Sequence, residues 1–261
     1  MFYSSPRNRL KVQVALLEKL ECDILMTPKQ MSDATRGTWE GARKDPYVVM
    51  HSSGTTGTPK ILILKQGTVA AHDDFQRFTE LGGEPWYGHH WTGKRVLTSF
   101  PWVHAGGVLL LAWAIYNSFT TVTANEWPLS GAIADHLHVN GNIQEAWYSP
   151  SVVQDVARNS TYLENIAKLD DVSYAGGILP ADMGNAINAR TRLFGTFALT
   201  ETGIVLGEMP PAEDWGYYRY NNCLGHSFRH FAGDMYELVH TRDEAIEPFQ
   251  GVFYTLPDAE S

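Results

Sequence analysis

The densest chemistry in this chain lies in ten consecutive residues, His51-Ser52-Ser53-Gly54-Thr55-Thr56-Gly57-Thr58-Pro59-Lys60, set between two apolar runs. Ser52, Ser53, Thr55, Thr56 and Thr58 supply five hydroxyls, and Gly54 and Gly57 let the backbone turn at positive φ and come close to a bound group. Hydroxyls and successive amide N–H groups turned into one concavity favour an anion. Lys60 adds an ammonium on a flexible stem, suited to a polyphosphate. The pattern is not the Walker one, which places four residues between its first glycine and its Gly-Lys pair and continues as a helix. Here Gly54 and Gly57 are three apart and a strand-like run follows. The bland alternative is a ligand-free Ser/Thr/Gly loop; the density of hydroxyls and the closing Pro59-Lys60 favour phosphate.

The elements around that loop must hold it. Apolar, β-rich runs over 47–51 and 61–64 predict a hairpin with the loop at its tip. Upstream, helical spacing over 10–20 and a short strand over 23–26 are expected. Downstream a helix is expected over 68–81. Strands over 95–100, 119–123, 145–149, 172–175 and 193–197 then alternate with helices over 106–116, 129–138, 150–159 and 180–190. Pro150 and Pro180 fall in first helical turns, where a missing N–H costs nothing. This alternation predicts an α/β fold: a central, mostly parallel sheet flanked by helices. We place it over 1–205, with the phosphate loop at 52–60. After Gly203 the texture becomes rich in Gly, Pro and Tyr. Short strands expected over 235–239 and 252–255 mark the start of a β-rich subdomain over 206–261.

Composition narrows the partners. A formal charge of −9 argues against nucleic acid or an anionic membrane surface, so a nucleotide phosphate must be held by local groups. Cys22 and Cys223 match no metal spacing and read as reduced thiols. The first residues lack the apolar stretch of a secretory signal, and the most apolar run, over 108–115, is too short to cross a bilayer. A cytoplasmic protein is expected.

Five segments, in chain order, resemble landmarks of the adenylate-forming superfamily of acyl-CoA synthetases, luciferases and nonribosomal-peptide-synthetase adenylation domains. Ser5-Pro6-Arg7-Asn8, with the following helix and Cys22, resembles a stretch of fungal synthetase-like carboxylate reductases. Ser52 to Lys60 resembles the superfamily's phosphate loop. Pro101-Trp102-Val103-His104-Ala105-Gly106-Gly107 is similar to its His-containing acyl-pocket segment. Tyr174-Ala175-Gly176-Gly177 resembles its adenine-facing glycine loop, and Phe197-Ala198-Leu199-Thr200-Glu201-Thr202-Gly203 its Tyr-Gly-x-Thr-Glu motif.

The resemblance implies an acetyl-CoA-synthetase-like core that binds ATP or AMP with Mg²⁺ and activates a small carboxylic acid, aromatic if Trp102 and His104 line its pocket. It assigns Glu201 to the metal and Thr200 to the phosphate, Gly176 and Gly177 to adenine with Phe197 and Ala198 beside it, and His104 to the mouth of the acyl pocket. Lys60 joins Thr200, Glu201 and His104 as a catalytic group. Each has a plain alternative: a solvated loop acid for Glu201, a turn after a strand for Gly176-Gly177, a satisfied core histidine for His104. Phe197-Ala198 departs from the superfamily's Tyr-Gly, losing a hydroxyl and gaining a methyl. No residue matches the ribose-binding Asp or the C-terminal lysine, so this polypeptide alone is expected to be slow or inactive. A remnant turned to a small acyl or polyketide-like ligand without ATP is the other function class, and a scaffold subunit a third. A homo-oligomer or a partner chain is the expected cover for apolar surface left bare.

Overall fold

The computed structural model describes residues 39–52, 60–220 and 222–259. The expected helix over 10–20, the strand over 23–26, Cys22 and loop residues Ser53, Gly54, Thr55, Thr56, Gly57 and Thr58 lie outside the described residues.

After a short helix α1 (Trp39–Ala42), strands β1 (Pro46–Ser52) and β2 (Lys60–Lys65) pair antiparallel, with Ser52 opposite Lys60 at the open end. The loop is thus carried on a hairpin, as its apolar flanks predict. Helix α2 (Gln66–Asp74) follows, then 3₁₀ turns over Phe75–Leu81 and Tyr87–Trp91. The expected helix over 68–81 is therefore two pieces: beyond Asp74 the chain tightens to bury Phe75 and Phe78, and it ends at Gly82 with φ 83°.

Strands β3 (Arg95–Thr98), β4 (Thr120–Val122), β5 (Glu145–Tyr148), β6 (Asp171–Tyr174) and β7 (Arg192–Gly195) form one parallel sheet in the order β4-β3-β5-β6-β7. Side chains alternate across it, as a pleated strand requires. Leu97, Ala146, Tyr148, Val172 and Leu193 face a core closed by helices α4 (Gly131–Asn140), α5 (Pro150–Ala157), α6 (Ser160–Ile166) and α7 (Ala181–Asn188). Val96, Trp147 and Phe194 face the other side, where helix α3 (Ala105–Tyr116) and the 3₁₀ turns supply Trp86, Trp91 and Trp113. Each fully buried Leu, Val or Phe side chain contributes roughly 1.5–3 kcal/mol. The fold is the predicted α/β class.

The tail holds the short pair β8 (Ala198–Leu199) and β9 (Gly203–Ile204), the exposed hairpin β10 (His226–Ala232) with β11 (Met235–His240), and helix α8 (Val252–Thr255). This helix corrects the strand expected over 252–255. Its β-prone residues have no strand to pair with, and instead pack on α2: the Tyr254 ring lies against Gly67, and the Thr255 and Thr68 hydroxyls meet at 2.9 Å. Tertiary packing overrides β propensity here.

At the N-terminal edge of the sheet, Glu145 and Asp171 stand opposite each other in register, both buried. Lys94 pairs with Glu145 and, at 3.0 Å, with Asp170.

Candidate functional site

Sheet topology decides where a ligand can enter. The chain leaves β3 towards β4 on one side and leaves β5 towards β6 on the other. Beyond the C-terminal ends of β3 and β5 the connections diverge and open a crevice, the place where open α/β sheets bind ligands. Ser99 and Ser149 tie its base together: Ser149 N–H donates to Ser99 Oγ at 2.6 Å, and Ser99 N–H to the Trp147 carbonyl at 3.1 Å.

His104 stands at this crevice as the N-cap of α3, its Nδ1 accepting from Gly106 N–H at 3.2 Å. With Nδ1 so used, the neutral ring carries its proton on Nε2. The ring lies near-parallel to Phe100 at 6.0 Å, and Phe100 packs on Trp147 at 4.3 Å. His104 is exposed, which sets aside the core-histidine alternative, and desolvation by the surrounding chain draws its pKa below the ordinary value.

The loop after β6 brings Gly176 and Gly177 to the same edge, both exposed. Gly176 has φ 91°, a conformation closed to ordinary side chains, and a Cβ there would lie 3.9 Å from Phe100. The loop after β7 brings Phe197, half-buried, with its carbonyl accepting from Val205 N–H at 2.9 Å. Ala198 and Leu199 then pair with Ile204 and Gly203, so Thr200, Glu201 and Thr202 form the tip of a tight hairpin. Glu201 and Thr200 are half-buried there. Gly203 takes φ 68°, and a Cβ would sit 3.1 Å from the His72 ring and 3.4 Å from Leu109.

Helix α3 links these parts to the phosphate-loop hairpin. Its Ala105, Val108 and Leu109 pack with Val48, Met50 and Leu64 of β1 and β2, while Leu109 also reaches Gly203. Ser52 and Lys60 close the hairpin at its open end, with Lys60 exposed. His104, Gly176, Gly177, Phe197, Ala198, Thr200 and Glu201 thus share one edge of the sheet.

Glu201 offers one carboxylate, at the tip of the β8–β9 hairpin. Mg²⁺ takes one or two carboxylates and completes its shell with phosphate oxygens and water. A single carboxylate on a hairpin tip suits that habit, and among the described residues no cluster of three or more His, Cys, Asp or Glu is built around an ion.

Sequence reasoning missed the residues that support this edge. His72 lies buried beneath the Gly203 turn, its Nδ1 bonded to the Val69 carbonyl at 3.2 Å, and desolvation lowers its pKa to about 4. Tyr218 touches Phe197 at 5.6 Å between ring centroids. The aromatic run Tyr217-Tyr218-Arg219-Tyr220 was the available signal, but nothing in its spacing says which strand end it meets.

A parallel five-stranded sheet flanked by helices sets the fold class, and the comparisons with known proteins give the family. The family described as AMP-binding enzyme matches residues 7–230, and the chain belongs to it. It is 27% identical to an isocyanide synthase-NRPS hybrid of Aspergillus fumigatus over 99% of this chain and 19% of that protein. It is 29% identical to an adenylate-forming reductase of Heterobasidion annosum (87% and 21%) and 28% identical to a carboxylic acid reductase of Neurospora crassa (85% and 22%). The chain spans about a fifth of the length of these relatives. Among solved structures, a malonyl-CoA ligase with methylmalonyl-CoA and AMP bound aligns with TM-score 0.60 at 19% identity, covering 78% of this chain and 47% of that one. The N-terminal subdomain of Klebsiella oxytoca NpsA, in complex with 3-hydroxybenzoyl-AMSN, aligns with TM-score 0.57 at 12% identity, covering 80% and 57%. No helix among the described residues is long and apolar enough to cross a membrane.

Proposed function

We propose that this chain is the nucleotide- and carboxylate-binding part of an adenylate-forming domain, which transfers the AMP moiety of ATP to a small carboxylic acid and releases pyrophosphate. The observation that carries this is the convergence of His104, Gly176-Gly177 and the Phe197–Glu201 hairpin on the crevice edge of a sheet belonging to the AMP-binding family. Adenine rests on Gly176 and Gly177 with Phe197 and Ala198 beside it. The loop from Ser52 to Lys60, with Thr200, cradles the phosphates, and Lys60 offsets charge as pyrophosphate leaves. Glu201 holds Mg²⁺, which when bound neutralises phosphate charge. The acid lies beside His104, whose ring already packs on Phe100; the aryl adenylate analogue in the NpsA complex favours an aromatic acid.

In the reaction a carboxylate oxygen attacks the α-phosphorus in line and the P–O bond to pyrophosphate breaks. This chain's part is to align the two reactants and to exclude water from the crevice. Calorimetric titration with Mg-ATP, and carboxylate-dependent exchange of pyrophosphate into ATP, test the proposal. Lys60→Ala and Glu201→Ala should each abolish measurable Mg-ATP binding while the chain stays folded. A folded wild-type chain that takes up no nucleotide would refute it.

A further inference from the structure

We infer that Tyr218, backed by Tyr174, reads the edge of the nucleotide base, an assignment that rests on the nucleotide reading above. The observation is a pair of phenols that converge where β7 ends. Gly195, the last residue of β7, pairs with Tyr174 of β6. A Cβ added at Gly195 would lie 2.9 Å from Tyr218 Cε1 and 3.3 Å from the Tyr174 hydroxyl. The missing side chain is what admits both rings. Burial, and then the neighbouring Tyr218, push the Tyr174 pKa up to about 12, so Tyr174 stays a neutral donor. Neither hydroxyl is taken up by a described residue.

Tyr174 precedes one of the two features that would hold a flat base, and Tyr218 touches the other. Gly176 and Gly177 follow β6 two residues beyond Tyr174, and Phe197 follows β7 two residues beyond Gly195. The Tyr218 ring meets Phe197 at 5.6 Å and 55° and continues to Tyr220 at 6.2 Å, so one aromatic surface runs out from the strand ends. A contact at 5.6 Å leaves no room for a base between Tyr218 and Phe197. A base lying on Phe197 can therefore meet the Tyr218 phenol only at its edge, not by stacking on it. A hydroxyl both donates and accepts, which suits the exocyclic amino group and ring nitrogen on one edge of adenine. A site built to hydrogen-bond such a group rejects analogues that lack it.

The test uses the full chain and two ligands, AMP and purine riboside 5′-monophosphate, which lacks the 6-amino group. Wild type, Tyr218→Phe and Tyr218→Ala are titrated calorimetrically, with thermal unfolding to confirm that each is folded. Wild type should prefer AMP by about tenfold, the worth of one hydrogen bond. Tyr218→Phe should weaken AMP by about the same factor and bind both ligands equally, whereas Tyr218→Ala should weaken both further as Phe197 loses its neighbour. A Tyr218→Phe variant that keeps the wild-type preference, or a wild type without one, overturns the role of Tyr218 and leaves nucleotide binding standing. A folded wild type that binds neither ligand overturns the nucleotide reading itself.

Discussion

Replacing Glu145 by glutamine should remove a proton that the folded chain holds and the unfolded chain does not. Glu145 and Asp171 sit opposite each other on adjacent strands, where backbones run about 4.8 Å apart. Both side chains are buried, and Glu145 Oε2 and Asp171 Oδ1 have no donor among the described residues. Lys94 pairs with Glu145, and Lys94, His90 and Trp91 only partly offset the burial of Asp171. Burial first, then the facing carboxyl, raise the Glu145 pKa well above its unfolded value of 4.5. A shared proton satisfies both stranded oxygens. The sign follows: the stabilisation is complete below the unfolded pKa and is lost as pH rises towards the folded one. One proton held only in the native state gives a slope of about −1.4 kcal/mol per pH unit, or about 2 kcal/mol between about pH 7 and 8.5. His72 and His138 titrate near 4 when folded and near 6.5 when unfolded, so they add little in that window. Glutamine mimics the protonated carboxyl and should flatten this dependence. Urea unfolding, followed by tryptophan fluorescence at several pH values, measures it. Parallel stability-versus-pH lines for wild type and Glu145→Gln would refute the shared proton.

Acid behaviour should run the other way. Desolvation holds His138 near pKa 4, below its unfolded 6.5, so its contribution is full above 6.5 and lost as pH falls through 4. His138→Gln should therefore lose less stability than wild type between about pH 6.5 and 4.5, by about 2 kcal/mol, because the slope reaches its full value only below the unfolded pKa, read from the same urea curves. Gly184→Ala would place a methyl 1.9 Å from the Trp215 ring and should destabilise by about 3 kcal/mol, with unchanged AMP affinity in the part that stays folded. Gly203→Ala strains a residue at φ 68° against His72 and should cost about 1–2 kcal/mol. Because the same turn carries Glu201, the variant should also need more Mg²⁺ to half-saturate ATP binding; equal Mg²⁺ requirements would separate Gly203 from the metal turn.

The sheet and its helices were legible in the residues alone, because burial imposes a period. Val96 and Leu97, and Ala146 and Trp147, alternate because successive strand side chains must enter opposite cores. Pro150 at the start of α5 marked a first helical turn that backbone geometry enforces locally. The hairpin under Lys60 was legible for a similar reason: apolar runs flank a glycine-rich turn. Other features depend on residues far apart in the chain. The run from Val252 to Thr255 became a helix only because Tyr254 found Gly67 and Thr255 found Thr68. Glu145 meets Asp171, and Tyr218 reaches Phe197, because strand order brings them together. Local preference acts over a turn or a pleat, whereas these contacts are chosen by which strands become neighbours, and that choice is made only when the whole core closes.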